Sequence, residues 1–407
     1  MSNCKNLSRL GEIVQEWVND DKQLGTMPSM NVLQLISSGG YYGAEAMVVN
    51  LSKGLRALGA SSTIGVFHNL RSPNIEIADA ARQADLNVEL IPCRGRADRG
   101  TVRQIAELAQ RMQADLIHAH GYKAQAYGYL ASRSRPIPLV ATCHGYHSRF
   151  SGGVRSTIAD LRQRMYSMVD LAFLRRFDQV VATSDILAKS LLSFGIEGEK
   201  LSVVGNGVEL DGYSSAMPSA DIVQRKSGGL AFGMVARLTD GKGHAHLFAA
   251  ARTVLGESPN ALFFVIGEGP LRGSLEALAY EFGIEHSVVF CGKRSDMRSV
   301  YAALDVVVLP SLFEGMPMVI LEALAARKPV IATRVGAVPD VIRNGSTGLL
   351  IEPGNVTELE EAIRRLIVDA ELRDSLAGSG CLHVQEHFSA ISMAKRYHQL
   401  YESVVYS

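Results

Sequence analysis

Two carboxylates and two cations stand where their surroundings would let them do chemistry. Glu314 and Glu322 flank seven residues in Ser311-Leu-Phe-Glu-Gly-Met-Pro-Met-Val-Ile-Leu-Glu322, directly after the apolar run Ala303-Leu-Asp-Val-Val-Val-Leu309. The run is short, β-branched and ended by Pro310, which predicts a buried parallel strand, and Pro317 suits the first position of a helix running through Ala326. The loop between them would present backbone N–H groups of Met316, Met318 and Val319 at the positive end of a helix dipole, where a phosphate is favoured. Glu314 falls in that loop and Glu322 inside the helix, roughly 7–8 Å further along its axis. Carboxylates at two depths beside a phosphate can accept from two sets of hydroxyls, one on a sugar and one on a ribose. As a bare spacing the pair means nothing, since a helix cap and a solvated helix residue fit it equally. The strand, Gly315, Pro317 and the following strand Lys328–Ala332 give it context.

Gly233-Met-Val-Ala-Arg-Leu-Thr-Asp-Gly-Lys-Gly243 carries the cations. Arg237 and Lys242, five apart across a tight turn, can converge on a diphosphate, the guanidinium as a planar fork of donors and the ammonium as a point charge. That pairing stabilises a departing nucleoside diphosphate without a metal. Two exposed surface charges are the plainer reading of the same spacing. Ser37-Ser-Gly-Gly-Tyr-Tyr-Gly-Ala-Glu45 is a glycine-rich turn entering a helix, where Gly39, Gly40 and Gly43 permit close approach of a ligand and the helix N-terminus favours an anion. His118-Ala-His120-Gly121 and Thr142-Cys-His144-Gly145 end predicted strands. Two histidines at i, i+2 resemble half of a metal site, but no carboxylate partner is evident, and satisfied strand-end histidines fit as well. In Gly267-Glu-Gly-Pro-Leu-Arg-Gly273 the third glycine comes one residue late for a dinucleotide fingerprint.

The elements that must position these residues alternate short apolar runs with amphipathic stretches, the signature of parallel sheets with helices on both faces. Strands are expected near Asn31–Ile36, Ser62–Phe67, Asn87–Ile91, Leu116–Ala119, Pro138–Thr142, Gln179–Ala182 and Leu201–Val204, then Leu230–Val235, Leu262–Ile266, Val288–Cys291, Val306–Leu309 and Val330–Ala332. The polar stretch 211–229 between the two sets reads as a linker. The expected organisation is a polar extension over 1–29, a doubly wound Rossmann-like domain over 30–210, the linker, and a second such domain over 230–388. Ligands of such sheets bind beyond the carboxyl ends of the strands, here in a cleft between facing domains.

Composition sets broad limits. A chain of 407 residues can bury two cores. No apolar run reaches the roughly 18 residues of a transmembrane helix, and the polar N-terminus has no apolar segment of an export signal, so the expected location is cytoplasmic. The scattered Cys4, Cys93, Cys143, Cys291 and Cys381 suit neither a disulfide framework nor a zinc site. Net charge is zero, yet residues 31–200 carry 20 basic against 14 acidic side chains, and within 94–176 the ratio is 14 to 5, thirteen of the fourteen being Arg. The cluster around Arg94, Arg96, Arg99, Arg103, Arg149, Arg155, Arg162, Arg164, Arg175 and Arg176 suits an anionic partner, such as the inner membrane face or a phosphorylated acceptor, as readily as it suits a solvated helix face. No nucleic-acid module accompanies it.

Taken together, the stretch from about residue 30 to the end resembles the retaining family 4 glycosyltransferases of GT-B fold. The resemblance lies in Glu314-x7-Glu322, in Pro310-Ser311, Gly315 and Pro329-Val330 around it, in Gly233-x-x-x-Arg237-x-x-x-x-Lys242-Gly243, in Gly267-x-Gly269-Pro, and in Thr142-x-His144-Gly145. It implies transfer of a glycosyl unit from a nucleoside-diphosphate sugar to an acceptor hydroxyl. Glu314 would hold the donor sugar, Glu322 the ribose, and Arg237 and Lys242 the leaving diphosphate, with Gly315, Met316, Pro317 and Met318 around it. His144 would approach the sugar from the first domain, and His120 would line the acceptor pocket. Gly40 and Gly43 would face the diphosphate and the acceptor. Gly267 and Gly269 would admit the nucleotide, with Arg294 bordering the base. Asn206-Gly207-Val208 matches a structural turn near the hinge, and a last helix near 389–407 would cross back onto the first domain. No Asp-x-Asp motif calls for a metal, and no cofactor is implied. The acceptor class would be a glycan or glycolipid of a bacterial surface. A nucleotide-sugar epimerase on the same fold and a non-catalytic membrane-associated binder are the alternatives.

Overall fold

The β-branched runs form strands because both faces of each sheet are covered by helices, so a nearly continuous apolar segment is buried throughout. The computed structural model describes residues 29–37, 39–70, 74–95, 98–145, 170–226 and 228–406. Arg96, Arg149, Arg155, Arg162 and Arg164 lie outside these, as does nearly all of the N-terminal extension.

The first domain holds β1 (Asn31–Ile36), β2 (Ser61–Asn69), β3 (Asn87–Cys93), β4 (Leu116–His120), β5 (Leu139–Cys143), β6 (Gln179–Ala182) and β7 (Leu201–Val203), paired in the order β3-β2-β1-β4-β5-β6-β7. The second holds β8 (Ala231–Val235), β9 (Leu262–Ile266), β10 (Val288–Gly292), β11 (Val306–Leu309), β12 (Val330–Thr333) and β13 (Leu349–Ile351), in the order β10-β9-β8-β11-β12-β13. The pairings β1–β4 and β8–β11 are parallel, and each marks the place where the strand order reverses. Loops leaving those four strands diverge to opposite faces and open a crevice at the carboxyl edge. They carry the glycine-rich turn, His120, Arg237 with Lys242, and Glu314.

Two segments tie the domains together. Val208 N–H donates to Phe388 O at 2.8 Å and Ala390 N–H donates to Val208 O at 2.8 Å, so the outgoing and returning crossings run side by side. The last helix, Ala390–Val405, then packs on the helix Gly43–Ala57. A β-carbon on Gly54 would lie 2.5 Å from Ala390 O, so only glycine admits so close an approach. Tyr397 and Tyr401 of that last helix are fully buried against the first sheet.

Three details depart from expectation. The stretch expected as a linker contains the helix Ala220–Lys226, whose Lys226 pairs with Asp305 at 2.9 Å and whose Ile222 is buried, so its end belongs to the second domain. The strand β13 was not anticipated, because its three residues are too few to show a period. Pro317 stands at the N-cap in extended conformation and the helix runs Met318–Ala325, one residue shorter at each end.

Candidate active site

Lys242 and Glu314 meet. The Lys242 ammonium is 2.7 Å from Glu314 Oε1, and Ser311 Oγ donates to the same oxygen at 2.7 Å. The Glu314 side chain is 8% exposed and that of Lys242 26%, so the pair is sheltered but reachable from the crevice. Loop-on-loop contacts build this corner. Leu312 N–H donates to Gly241 O at 2.8 Å, and Gly243, in left-handed backbone, passes so near Pro310 O that a β-carbon would sit 1.9 Å from it. From the other side, Ala337 N–H donates to Gly315 O at 2.9 Å.

Arg237 is exposed and points across the crevice, its guanidinium carbon 4.9 Å from the centre of the Tyr42 ring of the first domain. Tyr42 also folds over Gly40, where a β-carbon would fall 2.3 Å from the ring. The helix entrance here was expected to favour an anion. The two amides leading into it are held by the protein's own carboxylates, since Tyr41 N–H donates to Glu76 at 2.9 Å and Tyr42 N–H to Glu45 at 3.0 Å. Glu76 reaches over the gap to Lys293, whose ammonium holds the Glu76 carboxyl below its ordinary range. Gly43 touches Met318 of the second domain, its added β-carbon lying 3.5 Å from the thioether chain.

Glu322 is part-buried inside the helix Met318–Ala325 and accepts from Tyr301 Oη at 2.8 Å. Burial raises its carboxyl above the ordinary range, against the opposing pull of the tyrosine hydroxyl. Burial, then the charge of Glu322, likewise raises the hydroxyls of Tyr41 and Tyr213.

The first domain contributes His144. Its Nε2 lies 3.1 Å from His120 Nδ1, while its own Nδ1 is buried with no partner. Burial pushes the imidazole down to about 4, so it is neutral at physiological pH. Gly315 comes against the His144 carbonyl, where a β-carbon would be 2.4 Å away. His144, Gly315, Glu314 and Lys242 therefore form one continuous corner shared by both domains.

Several expected ligands have other work. Arg294 clamps Asp221 at 2.7 Å and Asp296 at 2.6 Å and reaches Ser219 at 2.8 Å, so the edges of its guanidinium are engaged by the protein's own acceptors. Gly267 and Gly269 also make room for backbone: added β-carbons would lie 2.0 Å from Ala236 O and 2.3 Å from Leu238 O. They let this turn pack under the Arg237 loop. Met316 is buried, taking Asn206 N–H on its sulfur at 2.8 Å and Asn206 Nδ2 on its carbonyl at 2.9 Å. Asn206, expected as a hinge turn, thus also fastens the Glu314 loop to the first domain. His120 is 2% exposed, so it does not line an open acceptor pocket. Arg175 and Arg176 of the basic cluster donate to nearby carbonyls, and Arg103 pairs with Glu107. Among the described residues no cluster of three or more metal-ligating side chains is present.

Sequence reasoning noted Ser311 only as a neighbour of the paired glutamates, without its bond to Glu314, and assigned no role to Tyr301, Glu76, Tyr42 or Gln34. Ser311 was legible as a hydroxyl three residues before Glu314. The others meet their partners only through tertiary packing.

This geometry agrees with the family models, Glycosyltransferase Family 4 matching residues 41–211 and Glycosyl transferases group 1 matching residues 220–380. The chain is a family 4 glycosyltransferase. Relatives of this glycosyltransferase include an Escherichia coli UDP-Gal:alpha-D-GlcNAc-diphosphoundecaprenol alpha-1,3-galactosyltransferase, 25% identical over 76% of this chain and 80% of that one. Another is a Corynebacterium jeikeium D-inositol 3-phosphate glycosyltransferase, 27% identical over 71% and 72%. Among solved structures, Anabaena HepE in complex with UDP-glucose superposes with a TM-score of 0.77 at 23% identity, covering 92% of this chain and 100% of that one. Sucrose-phosphate synthase of Thermosynechococcus elongatus gives 0.74 at 21% identity, over 92% and 98%. These likenesses establish the GT-B fold of the glycosyltransferase. No helix among its described residues is long and apolar enough to cross a membrane.

Proposed function

We propose that this glycosyltransferase moves a sugar from a nucleoside-diphosphate donor to an acceptor hydroxyl with retention at the anomeric carbon. The observation that carries the reading is the Lys242–Glu314 pair set against His144 and Gly315 at the switch-point edge of both sheets. Lys242 and the crevice-facing Arg237 supply the positive charge that a departing diphosphate needs. Glu314, with Ser311 beside it, accepts from sugar hydroxyls, and Glu322 with Tyr301 offers an acceptor deeper in, suited to a ribose. In the proposed step the acceptor oxygen bonds to the anomeric carbon on the face from which the diphosphate leaves. The carbon–oxygen bond to phosphate breaks, and the acceptor's proton passes to the departing phosphate oxygen. No protein nucleophile and no metal enter this scheme.

A structural neighbour binds UDP-glucose, and a relative transfers galactose to a lipid-linked diphosphate acceptor. Both favour a uridine nucleotide and a glycan or glycolipid acceptor of a cell-surface polysaccharide here. A glycolipid would bring the basic first domain to an anionic membrane face. A thermal-shift panel of UDP, GDP and ADP identifies the base, because a ligand of the folded state alone raises its melting temperature. Incubation of the matching nucleotide sugar with lipid-linked acceptors, read by NMR at the anomeric proton, then tests transfer and retention. Isomerised donor formed without acceptor would point to an epimerase, and a product of inverted configuration would remove the retaining step.

A further inference from the structure

Gln34 is a fully buried amide in the middle of β1, where an apolar residue would serve packing better. Its Oε1 lies 2.7 Å from His120 Nε2. Its Nε2 has no hydrogen-bond partner, so the amide oxygen is the atom through which Gln34 acts. His118, whose ring centre lies 4.1 Å from that of His120, is held by Tyr401 Oη at 2.7 Å from its Nδ1 and by Thr142 Oγ1 at 2.7 Å from its Nε2.

The hydrogen-bond inventory then runs in one direction. A neutral imidazole has one N–H and one lone pair. The Gln34 oxygen can only accept, so His120 carries its proton on Nε2 and its Nδ1 is bare. The bare Nδ1 accepts from His144 across 3.1 Å, so His144 carries its proton on Nε2. The remaining nitrogen, His144 Nδ1, is therefore a bare acceptor, buried and unpartnered, on a residue whose backbone carbonyl meets Gly315. A buried acceptor with no partner is costly unless a ligand supplies a donor.

We propose that Gln34 and His120 are positioning residues that lock the His144 tautomer and present its Nδ1 to a hydroxyl of the donor sugar. This rests on the donor reading given above. Reversing the amide would turn the same nitrogen into a donor, so that the sugar hydroxyl would have to accept there instead of donating.

The test uses full-length protein labelled with nitrogen-15 in histidine, the His144 signals being assigned by their loss in His144→Gln. In ligand-free wild type, His144 should show a single tautomer protonated at Nε2. Gln34→Met and, independently, Gln34→Leu should each give a mixed or reversed tautomer, with circular dichroism confirming the fold. Calorimetry with UDP-glucose and with UDP supplies the second readout. UDP-glucose should weaken about tenfold in both variants while UDP binding stays unchanged, because only the sugar reaches His144. An Nδ1-protonated His144 in wild type, or an unchanged tautomer in both folded variants, overturns the relay. A changed tautomer with unaltered UDP-glucose affinity overturns its positioning role. Absence of UDP-glucose binding by wild type would count against the uridine donor instead, leaving the tautomer measurement to decide the relay.

Discussion

Gly315 of the second domain and the backbone carbonyl of His144 of the first are in direct contact, with room for a hydrogen and not for a methyl group. An alanine β-carbon would lie 2.4 Å from that oxygen, and the obstacle is backbone, which cannot swing aside as a side-chain tip does. Gly315→Ala should therefore hold the domains slightly apart at the site. A displacement near 1 Å costs about a hundredfold in rate where reacting groups must be aligned. Turnover is expected to fall by about that factor with the melting temperature nearly unchanged. Wild-type turnover in this variant would mean that the observed closure is not the working one.

Lys242 and Glu314 support a second prediction. Removing the lysine leaves a sheltered carboxylate with Ser311 as its remaining partner, at a stability cost of about 1–2 kcal/mol. Lys242→Ala and Glu314→Ala are each expected to abolish transfer while circular dichroism still reports a folded protein. Their effects on nucleotide affinity should differ, because only the lysine is positioned to face the diphosphate. Loss of UDP affinity in Glu314→Ala equal to that in Lys242→Ala would erase the distinction in roles.

Most strands and the Lys242 and Glu314 loops were legible because each rests on a local pattern: a β-branched run, a punctuating proline or glycine, a charged residue just past a strand end. Strand order, and with it the switch points, has no such local mark. At Arg294 and Gly267 a cation or glycine beyond a strand suits a ligand or a neighbouring loop equally, and the protein partners, Asp221 and Ala236, come from other elements. Gln34 was invisible because one polar residue in an apolar strand has no local signature, and its meaning depends on His120, which comes from β4.

Tyr301 gives a third prediction. Its hydroxyl is the donor holding the Glu322 carboxylate against the burial that favours the neutral acid. Tyr301→Phe removes that donor and should push the Glu322 carboxyl further up. The carboxyl is then the poorer acceptor for ribose hydroxyls the more of it is protonated, and a hydrogen bond to a charged group is worth about 1.5–3 kcal/mol. UDP affinity should drop about tenfold, with the loss growing as pH falls. A pH-independent affinity equal to wild type would exclude Glu322 from nucleotide binding.

The buried histidines make stability depend on pH in a defined direction. Burial holds His118 and His120 well below the ordinary 6.5, and His144 at about 4. In the unfolded chain each takes up a proton near 6.5 while the folded protein does not, so the unfolded state binds more protons below that pH. Stability is thus complete above about pH 7 and falls as pH drops through 6.5, continuing until the folded imidazoles titrate. Each such histidine contributes a slope of about 1.4 kcal/mol per pH unit, so His118 and His120 together give roughly 3. Glu322 and Asp340, whose carboxyls burial raises, work oppositely, but they are two groups against the five lowered imidazoles of His118, His120, His144, His244 and His383. Urea unfolding at pH 7, 6 and 5 should show the midpoint falling at each step, and His118→Gln should flatten the slope by about one proton. Equal midpoints at pH 6.5 and 5 would mean that these imidazoles are not held neutral, and the one-way tautomer chain to His144 would lose its basis.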